Sequence, residues 1–277
     1  MGNLLISLEI GDPGLTTYTV RKKIVRMQRG DDMLTGNIIS VISGKGGVGK
    51  STVSANLAVS LARQGKSVAL IDFDIYGSSI PNMMNISFGP KSMNNKILPV
   101  ESHGVKIMSM GFIVKNNDPV VWRGPMLGKV INQFINEVIW GPLDYVVIDM
   151  PPGTGDVAMD VNRLIPSSNQ LLVTTPHPTA AHVAERAGKM ASNNNHKILG
   201  VVENMSFFQP ADHEEKYYIF GRGGSEQLAS KLGTELIAQF PIYAPTQSDF
   251  EPSIYKKGSL LFDKYNELAE KVQDSIA

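Results

Sequence analysis

The sequence contains no cysteine. That absence excludes a disulfide, a thiolate nucleophile, cysteine-ligated zinc and an all-cysteine iron–sulfur cluster held by one chain. An excess of charge of one sign is missing as well, because 26 Lys and Arg stand against 26 Asp and Glu. Without it there is no global pull toward nucleic acid, and only a local basic patch could supply one. No stretch reaches the roughly 18 uninterrupted apolar residues that cross a bilayer, and the opening MGNLLISLEIGDPG has neither the basic flank nor the full apolar run of a secretory leader. The expected compartment is the cytoplasm. What is present is a chain of 277 residues, 42% hydrophobic, ample for the core of one large α/β domain or two small ones.

From residue 37 onward, short β-branched runs alternate with amphipathic stretches of helical length, the pattern of βαβ units and a mostly parallel sheet. Strands are expected at 38–43, 67–73, 105–110, 144–150, 170–176, 197–203 and 235–240, and helices at 50–64, 125–139, 154–164, 178–192, 224–232 and 258–276. Residues 1–36 differ in character and form an extension to the domain at 37–277. Their stretch at 21–29, with Arg21, Lys22, Lys23, Arg26 and Arg29, reads as a solvated basic helix face and is the one local candidate for phosphate contacts.

Directly after the first of these strands, SGKGGVGKST (43–52) fits G-x-x-x-x-G-K-[ST] and leads at once into a helix. Gly44, Gly46, Gly47 and Gly49 let backbone N–H groups of the loop, including those of Lys45 and Val48, turn toward one anion, and the helix start adds partial positive charge. Lys50 should reach the β- and γ-phosphates of ATP, and the Ser51 hydroxyl, next to Thr52, should ligate Mg²⁺. Asp72 and Asp74 close the second strand at the carboxyl edge of the sheet. One is expected to face Mg²⁺ or its waters and Asp74 to orient the attacking water, with capping of the following turn as the competing role for Asp74. Asp149, after an apolar strand, has the form of a Walker B aspartate that holds Mg²⁺ through water. In PPGTGD behind it, Pro151, Gly153 and Gly155 mark a switch II loop whose glycines permit rearrangement.

Lys45, a second lysine inside the loop, makes GKGGVGKST resemble the deviant Walker A motif of the nitrogenase iron protein, MinD and ParA superfamily. DIYGSSIPNMM, VWRGPM, DMPPGTGDVAMDV, TTPHPTAAHVAERAGKM, ENMSFF and IFGRGG narrow the resemblance to the Mrp/NBP35 (ApbC) family, over nearly everything from residue 37 onward. It implies a single P-loop NTPase domain whose mostly parallel twisted sheet has helices on both faces. It also implies a slow ATPase working as a homodimer across the nucleotide face, with Lys45 touching the partner subunit's nucleotide. Asn204 becomes the candidate for reading adenine, against a plain turn role, and Pro241 a base-flanking residue. Partners implied are iron–sulfur assembly or acceptor proteins. Many bacterial members carry an N-terminal domain of about a hundred residues, of which 1–36 would be a remnant.

One departure stands out. Family members place Cys-x-x-Cys between NMS and IFG, whereas here the interval 207–221 reads FFQPADHEEKYYIFG. The iron–sulfur cluster implied by the family thus has no thiolate to hold it, and His213, Glu214 and Glu215 are poor substitutes. The interval is expected to be a mobile polar surface. The cysteine-free pattern resembles the SalA-like branch, whose implied role is ATP-dependent regulation of transcription with DNA as partner. A MinD-like membrane role is disfavoured, because Asp263, Glu267, Glu270 and Asp274 surround the apolar stripe of the last helix, which reads as core packing. No acceptor-pocket motif of a metabolic P-loop ligase is found.

Overall fold

The computed structural model describes residues 4–8, 22–26, 34–75, 77–94, 96–113, 124–166, 168–210, 214–243 and 254–277. In chain order the strands and helices are β1 (Leu4–Leu8), β2 (Lys22–Arg26), β3 (Asn37–Ser43), α1 (Lys50–Arg63), β4 (Val68–Asp72), α2 (Ile80–Met83), β5 (Lys91–Met93), β6 (Lys96–Leu98), β7 (Val100–Ser102) and β8 (Val105–Ser109). They continue with α3 (Gly124–Asn136), β9 (Tyr145–Asp149), α4 (Asp156–Leu164), β10 (Asn169–Thr174), α5 (Pro178–Asn193), β11 (Ile198–Glu203), α6 (Gly224–Lys231), β12 (Leu236–Gln239) and α7 (Leu260–Ile276).

All seven strands and six helices read from the periodicity are present. Beyond these, the short α2 and the following features were not expected. β1 and β2 pair antiparallel in a separate two-stranded sheet, so residues 22–26, expected on a helix, are a strand. The β-branched pair Ile24 and Val25 suits that conformation once Leu4–Leu8 offers a partner. Arg21 and Arg29 lie outside the described residues. The hairpin β5–β6 and the edge strand β7 are each three residues long, too short for a two-residue period to register.

The main sheet has the order β12-β11-β10-β3-β9-β4-β8-β7, parallel throughout except for β7 against β8. Its strands are buried on both faces, which is why they read as continuous apolar runs. In β9, Val147 packs into one core with Val53, Leu57 and Leu61 of α1 and Leu261, Leu268 and Val272 of α7. Its neighbours Val146 and Ile148 point into the other core, with Leu127, Ile131 and Phe134 of α3, Val161 of α4 and Ala184 of α5. Tyr265 of α7 stacks on Phe240 with ring centroids 4.2 Å apart, and the acidic residues Asp263, Glu267, Glu270 and Asp274 face out, so α7 is core packing as expected. No helix among the described residues is long and apolar enough to cross a membrane.

The consequence for function lies in the middle of the sheet. β3, β9 and β4 are parallel neighbours in which Asp149 pairs in register with Val41 on one side and Asp72 on the other. The loop after β3 and the carboxylates ending β4 and β9 therefore emerge at one edge, where open α/β sheets bind ligands.

Candidate functional site

The loop between β3 and α1 is shaped by left-handed glycines. Gly47 has φ +79° and Gly49, immediately before α1, has φ +86°. A Cβ on Gly49 would stand 2.0 Å from Asn204 Nδ2, so both conformation and space require glycine there. Gly44 answers to packing instead: a Cβ would meet the backbone nitrogen of Ala184 in α5 at 2.4 Å. Among the described residues, no backbone N–H of residues 45–49 donates a hydrogen bond to the protein. They border a cleft of about 380 Å³ lined also by Lys50, Ser51, Thr52, Asp74 and Pro152. A row of unpaired N–H groups at a helix start, around a cleft of that size, fits an anion such as a polyphosphate. Val48 is buried beneath the loop, whereas Lys45 points from its exposed side.

Beneath the loop lies a buried charge cluster. Lys50, 5% exposed, sets its Nζ 2.8 Å from Asp149 Oδ1 and 3.6 Å from Asp74 Oδ2. Ser54 Oγ donates to the same Asp149 oxygen at 2.8 Å, and Asp149 Oδ2, fully buried, has no hydrogen-bond partner. Asp74 Oδ1 accepts from the Gly77 N–H at 3.1 Å, so Asp74 caps its turn and faces Lys50 at once. With Lys50 drawn toward phosphates, two carboxylates and the Ser51 hydroxyl would remain, an oxygen set that suits Mg²⁺.

Asp72 is placed differently from its neighbour. Oδ1 accepts the Asp74 N–H at 2.9 Å and Oδ2 the Ser109 hydroxyl at 2.6 Å, with the side chain wholly buried. Burial, then the Asp149 charge, pushes its carboxyl up to about 8. Both oxygens are thus engaged inside the protein, and Asp72 positions Asp74 rather than lining the cleft.

Asn204 follows β11 and donates its side-chain amide to Val48 O at 2.9 Å, bracing the loop from behind. Pro241 is buried after β12. In the loop after β9, Pro151 is buried, Gly155 precedes α4, and Gly153 (φ +83°) donates its N–H to Ser43 O at 2.8 Å, tying this loop to the base of the glycine-rich loop. Two functional partners escaped the sequence reading. Ser54, one helical turn after Lys50, was legible in principle from the i, i+4 spacing; Ser109, on β8, was not, because only strand order brings it to Asp72.

The interval 207–221 corrects an expectation. Its arms are joined by Phe208 and Tyr217, whose backbones exchange two hydrogen bonds of 2.8 Å, and Tyr217, Ile219 and Phe220 expose apolar surface among the charges. The polar surface expected there, with Gln209, Glu214, Glu215 and Lys216 exposed, thus carries apolar groups as well. His213, Trp122 and Arg123 lie outside the described residues. No group of three or more His, Cys, Asp or Glu able to hold a metal occurs among the described residues.

Residues 35–273 match the ParA family model described as NUBPL iron-transfer P-loop NTPase. Among curated proteins, the chain is 53% identical over 241 residues to an iron-sulfur cluster carrier protein of Bacillus subtilis, covering 86% of this chain and 68% of that one. It is 44% identical to the protein of the same name from Mycobacterium leprae, covering 80% of this chain and 57% of that one. The chain thus spans about three fifths of the length of these relatives. Among solved structures, a nucleotide-binding protein from Archaeoglobus fulgidus in complex with ADP aligns with TM-score 0.67 at 34% identity, covering 86% of this chain and 88% of the other. The cell division ATPase MinD of Pyrococcus furiosus, with TM-score 0.63 at 23% identity over 88% of this chain and all of its own, shares the fold.

Proposed function

Since the chain belongs to the family of NUBPL iron-transfer P-loop NTPases, we propose that it is a slow, Mg²⁺-dependent ATPase that works as a homodimeric switch in iron–sulfur cluster transfer. The observation that carries this reading is Lys50 held 2.8 Å from Asp149 under a loop whose N–H groups are unpaired. In this reading Lys50 exchanges Asp149 for the β- and γ-phosphates, while Ser51 and, through water, Asp149 hold Mg²⁺, which supplies charge neutralisation for the transferred phosphoryl group. Asp74 orients the attacking water. Its turn cap and its nearness to Lys50 suit that positioning role. Gly153, bonded to Ser43, passes loss of the γ-phosphate to switch II.

Lys45, exposed at the lip of the cleft, is assigned to the partner subunit's nucleotide, where its charge would act only in the closed dimer. Asn204 is assigned to bracing Val48 with one amide hydrogen, which leaves its second N–H and its Oδ1 for reading adenine. A cluster would be substrate here, and the donor set of this chain does not fit one, since soft thiolates are absent. The cluster is therefore assigned to an assembly or acceptor partner. The names of the relatives speak for transfer and do not favour the transcriptional alternative.

The test is phosphate release together with light scattering in ATP and in ADP. ATP should strengthen the dimer, and Lys45→Ala should lower turnover more than nucleotide affinity. Equal loss of both, with a dimer indifferent to nucleotide, would remove the trans assignment.

A further inference from the structure

The helix layer over one face of the sheet is interrupted. α3 packs on α4 and α5 packs on α6, but α4 and α5 make no comparable contact, and between them runs an open groove of about 890 Å³. It shares no lining residue with the nucleotide cleft.

The chemistry of the groove is one-sided. Arg163, Arg186 and Lys189 line it, and no acidic residue does. Arg163 pairs with Asp160 at 2.9 Å and Lys189 with Glu185 at 2.7 Å along their own helices, whereas Arg186 has no ion pair or hydrogen bond among the described residues. The exposed Arg163–Asp160 pair is worth about 0–1 kcal/mol, so an incoming carboxylate displaces it at little cost, whereas Glu185 is shared by Lys189 and Lys231. Met159, 49% exposed, and the half-buried Met190 form flexible apolar walls.

Behind the lining, two polar side chains are closed off from solvent. Asn162 and His196 are 5% and 6% exposed, yet Asn162 Nδ2 and His196 Nε2 have no partner. Asn162 Oδ1 already accepts from Gln170 Nε2 at 3.3 Å. His196 Nδ1 lies 2.9 Å from Ser168 O.

We propose that the groove between α4 and α5 binds an extended acidic segment of a partner protein. Its carboxylates meet Arg186 and, by exchange, Arg163 and Lys189. An apolar side chain sits between Met159 and Met190. A small free anion fits less well, because the groove is open and its cations are spread along a rim rather than converging. Thr154 of switch II lines the groove, so the site adjoins the nucleotide-responsive loop without depending on the ATPase reading for its existence.

The probe is a blocked seven-residue peptide alternating Asp or Glu with Leu, with a Lys-for-acid version and citrate as controls. Methyl-¹³C methionine spectra of the full chain, assigned through Met159→Leu and Met190→Leu, report where it binds. The acidic peptide should move the Met159 and Met190 signals in the absence of nucleotide, and the basic one should not. Arg186→Glu with Lys189→Glu, both on the surface, should weaken binding by about tenfold or more while binding of an ATP analogue is unchanged. Signals that stay still at millimolar peptide, that move equally with citrate alone, or that respond undiminished in the charge-reversed variant would overturn the proposal.

Discussion

Replacing Lys50 by Ala tests the buried cluster twice over, through binding and through stability. Among the described residues the ammonium is the one cation paired with Asp149, a carboxylate with no exposure, and it sits 3.6 Å from Asp74 as well. Its removal leaves Asp149 with only the Ser54 hydroxyl on one oxygen and nothing on the other. Breaking a buried pair from one side costs about 3–5 kcal/mol, because the surviving charge stays desolvated. In a domain of this size 1 kcal/mol moves Tm by about 2–4 °C, so a fall on the order of 10 °C is expected. The double variant Lys50→Ala with Asp149→Asn removes the stranded charge and should recover at least half of that loss. It should not recover nucleotide binding, which needs the lysine itself. Thermal unfolding followed by circular dichroism gives the stability arm, and titration with a fluorescent ATP analogue the binding arm. Equal Tm for wild type and Lys50→Ala, or no recovery in the double variant, would refute the buried-charge reasoning. Retained binding in Lys50→Ala would refute the phosphate site.

Asp72→Asn should flatten the pH dependence of stability. A carboxyl pushed up to about 8 by burial and by Asp149 binds its proton more tightly in the folded chain than the ordinary value of about 3.9 in the unfolded one. Its contribution is thus fully present below pH about 4 and lost as pH rises toward 8. Urea unfolding from pH 5 to 9 should show wild type losing ground to the variant, and parallel profiles would contradict the assignment. Anaerobic reconstitution with iron and sulfide should leave no stable cluster on the isolated chain, since it has no cysteine; stoichiometric iron and sulfide surviving gel filtration would point instead to ligation by histidine and carboxylates.

Much of this protein was legible in one dimension because its elements advertise themselves locally. Fully buried parallel strands must be apolar on both faces, so β3, β4, β8, β9, β10, β11 and β12 stood out as runs. A phosphate loop must be glycine-rich and run into a helix, so residues 44–52 declared their chemistry by spacing alone. Short or long-range features had no such signature. The three-residue strands β5, β6 and β7 are too brief for a period, and Lys22–Arg26 is a strand because Leu4–Leu8 lies beside it. Likewise Asp72 and Asp74 look equivalent in IDFD, and only the folded chain separates them: Ser109, 37 residues away, takes an oxygen of Asp72, while Asp74 is left facing Lys50. Asn204 could be placed after a strand but not against Val48, 156 residues distant. Local sequence determined the elements and the chemistry of the loop, since both depend on neighbours along the chain. Which carboxylate meets the lysine, which glycine answers to packing, and where the helix layer opens into a groove were decided by the order of strands in the sheet, which sets contacts that sequence spacing does not encode.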